Sequence, residues 1–334
     1  MAHEMETMFS ARKVIPWHGL GVVINDCPTS ADAIIQAGLD WQVELRNMFI
    51  PFEDGQAVEV SDKFAVVRKT DRKYLGVVGE RYEPIQNSEM FSIMDSLVKA
   101  GEGAVTYETA GSLKGGKVVW MLANMGEMQV KGFDPITSWM LCSSSHDGSK
   151  TLRIIPTTTR VVCWNTLTLA TNISKRNGNR TQEVRIRHTK NASISLEQSR
   201  KVLGVVSKAH ADFKEEANHL ASRQLKTKDF HSMLDILFPS TSTKDEKGDL
   251  IQVVSKINTT KRERIEELFA NGAGNSDSRV AGTMWAGLNA VTEYFTWENG
   301  RKKNEISQSR VFKNWFGDSV NATEQVREFL LSVG

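Results

Sequence analysis

"TYETAGSLKGGKVVWMLA", Thr106–Ala123, can be read in two ways, and the choice decides the fold. The spacing of Gly111, Gly116 and Lys117 comes close to a phosphate-binding P-loop, which would be followed by a helix. Val118 stands where that loop needs the Ser or Thr that holds magnesium, and KVVWMLA has the composition of a strand. Gly115-Gly116 therefore reads as a hairpin turn between TYETAGSL and KVVWMLA, with Lys117 outside any ATP site.

Three more turns of the same kind flank it. Asp54-Gly55 separates LRNMFIPF from QAVEV, Thr70–Lys73 separates KFAVVR from YLGVV, and Asp147-Gly148 separates SWMLCSSS from TLRII. The predicted result is one twisted antiparallel sheet from Trp41 to about Arg160. One helix interrupts it, with Asn87 as N-cap and Met90, Phe91, Met94, Leu97 and Val98 at helical spacing. A second short helix is expected near Cys163. From Ser195 the period becomes helical, and Leu196, Val202, Leu203, Val206, His210, Phe213 and Ala217 share a face. A shorter helix follows Thr227, and others are expected around Arg262–Phe269, Arg279–Phe295 and Thr323–Val333. STSTKDEKGD (Ser240–Asp249) reads as an exposed loop and NGAGNSDS (Asn271–Ser278) as another soft spot. The expected fold class is α+β: a curved antiparallel sheet packed on helices in residues 1–190, then a mainly helical region in 191–334.

Composition narrows the function. The 334 residues have the apolar and charged fractions of an ordinary soluble protein, and the net charge is only +2. Any nucleic-acid site must then be a local patch. No stretch is long and apolar enough for a membrane span, and the opening residues, with Glu4 and Glu6, do not read as a signal peptide. Three cysteines, Cys27, Cys142 and Cys163, fit a reducing cytoplasm better than a disulfide framework.

Few residues suggest catalysis. Cys142, His146 and Cys163 lack the close pairing typical of zinc ligands, and Ser143–Ser145 with His146-Asp147 point to alternate faces of a strand rather than forming a triad. Trp17 and His18 in PWHGLG fit an N-terminal arm docked by its tryptophan. The reading is of a protein without catalytic residue, metal or cofactor.

The stretch from Lys150 to Lys190 departs from this neutrality. It carries Lys150, Arg153, Arg160, Lys175, Arg176, Arg180, Arg185, Arg187 and Lys190 against one acid, Glu183. Arg185 and Arg187 share a strand face, and SKRNGNR reads as a loop. A basic strand beside a basic loop is suited to tracking phosphates, and Trp164 could stack on a base. The expected partner is single-stranded DNA or RNA, bound by a homo-oligomer without membrane association.

PWHGLG, GLDW (Gly38–Trp41), LGVVGERYEPIQN (Leu75–Asn87), ETAGSLKGGKVVW (Glu108–Trp120), HDGS (His146–Ser149), RVVCWNTL (Arg160–Leu167) and AGTMWAGLNAVTEYF (Ala281–Phe295) follow in order along nearly the whole chain. Together they resemble a family of phage- and plasmid-encoded proteins of unknown function. That resemblance implies a phage, prophage or plasmid origin and a place in the bacterial host cytoplasm. It supplies no catalytic residue. The architecture is also similar to single-strand annealing proteins, which hold DNA along a basic groove without nucleotide; this is analogy at the level of fold. The expected function is strand binding, and annealing in phage or plasmid recombination. The alternative is a phage interaction protein that inhibits or sequesters a host defence component or a signalling molecule.

Overall fold

The structure is a computed structural model that describes residues 5–10, 22–23, 30–102, 105–160, 166–168, 184–186, 196–244, 249–299, 313, 315 and 317–334. Its fold class is α+β, with antiparallel sheets followed by a helical C-terminal region.

All four expected hairpins form. β3 (Val43–Pro51) turns at Asp54-Gly55 into β4 (Ala57–Arg68), which turns through residues 70–73 into β5 (Tyr74–Gly79). β6 (Thr106–Leu113) and β7 (Val118–Val130) meet at Gly115-Gly116. Both glycines lie in the left-handed region, at φ 65° and 90°, where a side chain would be disfavoured. The strand that follows removes the structural context of a P-loop. β8 (Asp134–Ser145) and β9 (Leu152–Arg160) flank Asp147-Gly148. A fifth hairpin, at Lys131-Gly132 between β7 and β8, was not expected.

These strands form two sheets, not one. β3-β4-β5 stand alone as three strands. β6 to β9 belong to an eight-stranded sheet of order β10-β9-β8-β7-β6-β1-β2, with β11 beside β9. Here β1 is Met5–Ser10, β2 is Val22–Val23, β10 is Thr166–Thr168 and β11 is Val184–Ile186. The only parallel pairing in these ladders among the described residues is β1 with β2. β10 corrects the helix expected near Cys163: Thr166–Thr168 pair with Thr157–Thr159 of β9.

Helix α2 (Asn87–Ala100) follows the small sheet and joins both sheets in one core. Its Met90, Phe91, Met94 and Leu97 pack with Val66 and Leu75 of the small sheet and with Ala110, Val119 and Met121 of the large one. The N-cap is Gln86, not Asn87, and Glu89 accepts a hydrogen bond from the Gln86 backbone N–H at 2.6 Å. The Gln86 amide is instead spent on the backbone of Val43, accepting at 3.0 Å and donating at 3.1 Å. α1 (Ser30–Gln36) buries Ala33 against the same core.

The C-terminal helices enclose a second core. α4 (Thr227–Leu237), α5 (Lys256–Asn271), α6 (Met284–Glu293) and α7 (Asp318–Val333) surround Phe230, Leu268, Trp285 and Leu330. α6 runs on as a π-helical turn, Tyr294–Glu298. The 25-residue α3 (Leu196–Leu220) spans both cores: Val202, Leu203 and Val206 enter the first, and Phe213, Ala217 and Leu220 the second. The Ser240–Asp249 stretch, expected as a loop, contains strand β12 (Thr241–Lys244) paired with β13 (Leu250–Val253). The soft spot at Asn271–Ser278 is also more ordered than expected, since it holds the fully buried Asn275.

Candidate nucleic-acid interface

β11 pairs with β9 so that Arg185 stands directly opposite Arg153. Alternation sends Leu152, Ile154, Val184 and Ile186 to the first core and turns the two arginines to the other face. Like charges directly opposite on neighbouring strands disfavour the pairing, so this register gathers positive charge at one point of the sheet. Arg153 and Arg185 line a cleft of about 630 Å³ between the two sheets. The β8–β9 turn contributes Gly148, Ser149, Lys150 and Thr151; the small sheet contributes Asp62, Lys63 and Gly79, and the turn after β5 contributes Glu80, Arg81 and Tyr82. Five cations thus face two carboxylates.

The cleft's walls are held by close contacts. Gly76 of β5 lies so near the β8–β9 turn that a Cβ there would come within 2.6 Å of the Asp147 Cα. Gly76→Ala should therefore cost about 1–3 kcal/mol of stability by overpacking. A melting temperature equal to the parent's would show that strand and turn part freely. The Tyr82 hydroxyl donates to the Ser145 carbonyl at 3.1 Å, and burial, with Asp147 adding to it, raises its pKa above the usual tyrosine value. It stays a neutral donor.

His146, next to this turn, has a structural role. Its Nε2 lies 2.8 Å from Asn87 Oδ1, so the ring donates to an acceptor oxygen, and Asn87 Nδ2 donates to the carbonyls of Leu39 and Trp41. Trp41 meets the imidazole edge-on, at 5.3 Å between ring centroids. GLDW, the start of α2 and HDGS thus converge on one buried polar contact. Cys142 is fully buried, and burial pushes its thiol pKa up to about 12.

Arg160, expected among the phosphate-binding residues, is buried instead. It is 3% exposed and forms an ion pair with Asp134, itself 2% exposed, at 2.8 Å. Its guanidinium also donates to the carbonyls of Ala273 and Gly274 and to Asn275 Oδ1, at 3.1–3.2 Å. Trp285 Nε1 donates to Asp134 at 2.7 Å, and Asn275 Nδ2 donates to the Leu268 and Ala286 carbonyls. The network fastens the large sheet to the loop between α5 and α6.

Of the other expected site residues, Lys150 and Arg153 are half-buried in the cleft and Arg185 is exposed there. Trp164, Lys175, Arg176, Arg180, Arg187 and Lys190 lie outside the described residues, as do PWHGLG, Cys27 and Cys163. The sequence reading missed Lys63 and Arg81. Each is an ordinary charge in its own stretch, and the fold alone brings them opposite the basic segment.

Residues 74–315 match the family described as a domain of unknown function, DUF932. The chain belongs to this family. The DUF932 match includes four of the five cleft cations and the whole Arg160 network, and begins after β4, which carries Lys63. No curated protein and no solved structure matches the chain.

Proposed function

We propose that the cleft between the two sheets binds the phosphate backbone of single-stranded nucleic acid. The observation that carries this reading is the cross-strand pair Arg153–Arg185, set in a cleft with Lys63, Arg81 and Lys150. Two guanidinium groups fixed on opposed strands suit neighbouring phosphate oxygens, which arginine engages through its fork of donors. A cleft of about 630 Å³ is the size of a small-ligand pocket, with room for about one or two nucleotides of a strand. Strand holding, and annealing of complementary strands in phage or plasmid recombination, is the activity such a surface would serve. Among the described residues no helix is long and apolar enough to cross a membrane.

Binding of labelled single-stranded and duplex oligonucleotides, followed by fluorescence anisotropy over a range of salt, tests the reading. The parent protein should prefer the single strand and lose affinity steeply as salt rises. Arg153→Ala with Arg185→Ala should lower the log–log salt slope by about 1.4 if each residue neutralises one phosphate of a single strand. Failure of the parent to bind any oligonucleotide, or unaltered binding after charge reversal at both arginines in a folded protein, overturns the reading. Saturable binding of free nucleotides alone would make the cleft a small-molecule site instead.

A further inference from the structure

Beyond the small sheet's body, β3 and β4 continue as a two-stranded arm. The ladder shifts from Asn47↔Phe64 to Met48↔Val60, leaving Ser61, Asp62 and Lys63 in an irregularity on β4. β5 pairs with β4 only between Lys63 and Val67, so the arm past that point has no third strand from this sheet. A lone two-stranded hairpin is marginal in water unless one face is covered.

One face of this arm is apolar. Register places Met48 opposite Val60 and Ile50 opposite Val58, and Phe52 continues the alternation toward the tip. Ile50, Phe52 and Val58 are each more than half exposed. A continuous apolar face of this kind on a polar surface marks an interaction site. The arm is also acidic: from Asn47 to Ser61 it carries Glu53, Asp54 and Glu59 and no lysine or arginine. Those carboxylates repel phosphate, so the arm does not extend the nucleic-acid surface. Their charge is complementary to the cleft, which opens at the arm's root, where Asp62 and Lys63 line it.

We propose that two copies of this chain dimerise through these arms, packed antiparallel by their apolar faces so that each acidic tip reaches the basic cleft of the other copy. Geometry and symmetry agree. The arm runs about four residues from root to turn, roughly 14 Å at the rise of a strand. Two antiparallel arms overlapping along that length put each tip beside the other's root, which is where the cleft lies. The contact is self-complementary and closes at two copies, as a twofold interface must. It stands on the arm and on the charge of the cleft, whether or not the cleft takes nucleic acid.

Sedimentation velocity of the full chain, without nucleic acid and at tens of micromolar, is the test. The parent should be a dimer that weakens as salt rises. Ile50→Ser with Phe52→Ser alters only exposed side chains and should raise the dimer dissociation constant at least tenfold, with an unchanged circular dichroism spectrum. Glu53→Lys with Asp54→Lys should also give a monomer. Adding Lys150→Glu and Arg185→Glu to that tip variant should restore the dimer, because the two charges are then exchanged. A monomeric parent, a parent larger than a dimer, an undiminished dimer in both arm variants, or failure of the charge exchange overturns the proposal. Anisotropy on the monomeric Ile50/Phe52 variant judges the nucleic-acid reading separately, since its cleft is intact.

Discussion

Arg160→Ala is expected to cost about 3–5 kcal/mol of folding stability, read as a fall in the urea midpoint. The reason is the asymmetry of buried charge. With the guanidinium gone, the Asp134 carboxylate stays at 2% exposure with the Trp285 N–H as its remaining partner from this network, and the carbonyls of Ala273 and Gly274 lose their donor. An uncompensated buried carboxylate is far more costly than the intact pair is stabilising. Arg160→Lys should recover only part of the loss, because one ammonium cannot span acceptors on both sides of the planar fork. Asp134→Ala strands the arginine in the same way and should fall in the same range. The pair joins β8 and β9 to the α5–α6 loop, so the damage should show first in the docking of helices on the large sheet. A midpoint for Arg160→Ala that corresponds to less than about 1 kcal/mol would mean that the site is wet and the pair is worth no more than a surface ion pair.

Arg160 also marks the limit of what local sequence can say. It stands in the same basic run as Arg153 and Arg185, and nothing adjacent separates them. Its carboxylate partner lies 26 residues earlier and its amide partner 115 residues later. Charge in a sequence shows composition, whereas burial is a property of the assembled fold. Three of the four foreseen turns were legible because a tight reversal needs backbone conformations that glycine supplies, and Gly55, Gly115, Gly116 and Gly148 declare them; the turn at residues 70–73 holds no glycine, and Arg72 takes its positive φ. Lys131-Gly132 was overlooked because a lysine, rather than Asn or Asp, takes the other positive-φ position. The split into two sheets was hidden for another reason: alternation shows that a strand is half-buried, not which strand it pairs with. The candidate cleft was half legible for the same reason. Lys150, Arg153 and Arg185 come from the basic run, while Lys63 comes from β4 and Arg81 from the turn after β5, both in the small sheet's part of the chain, whose place beside the basic run the alternation leaves open.

Lowering the pH is expected to destabilise the protein through His210 before most carboxylates protonate. His210 on α3 is 7% exposed, and its Nε2 lies 3.2 Å from the Thr157 carbonyl of β9. Burial lowers its pKa from the usual 6.5 to about 4, against the opposing effect of its backbone hydrogen bonds. The folded protein therefore keeps the ring neutral where the unfolded chain protonates it. Stability from this residue is complete above pH 6.5 and is lost as pH falls toward 4, since the unfolded state binds the extra proton in that window. The full loss is about 3 kcal/mol, and about 2 kcal/mol of it falls between pH 7.5 and pH 5. His210→Gln, which can still donate to Thr157 but does not titrate, isolates this contribution. The stability of the parent minus that of the variant, from urea unfolding at the two pH values, should shift against the parent by that amount at the lower pH. A difference that stays flat would mean that α3 lifts from β9 and lets water reach the imidazole in the folded state. A difference that moves in the parent's favour would require a carboxylate held against the ring, with the opposite sign of linkage.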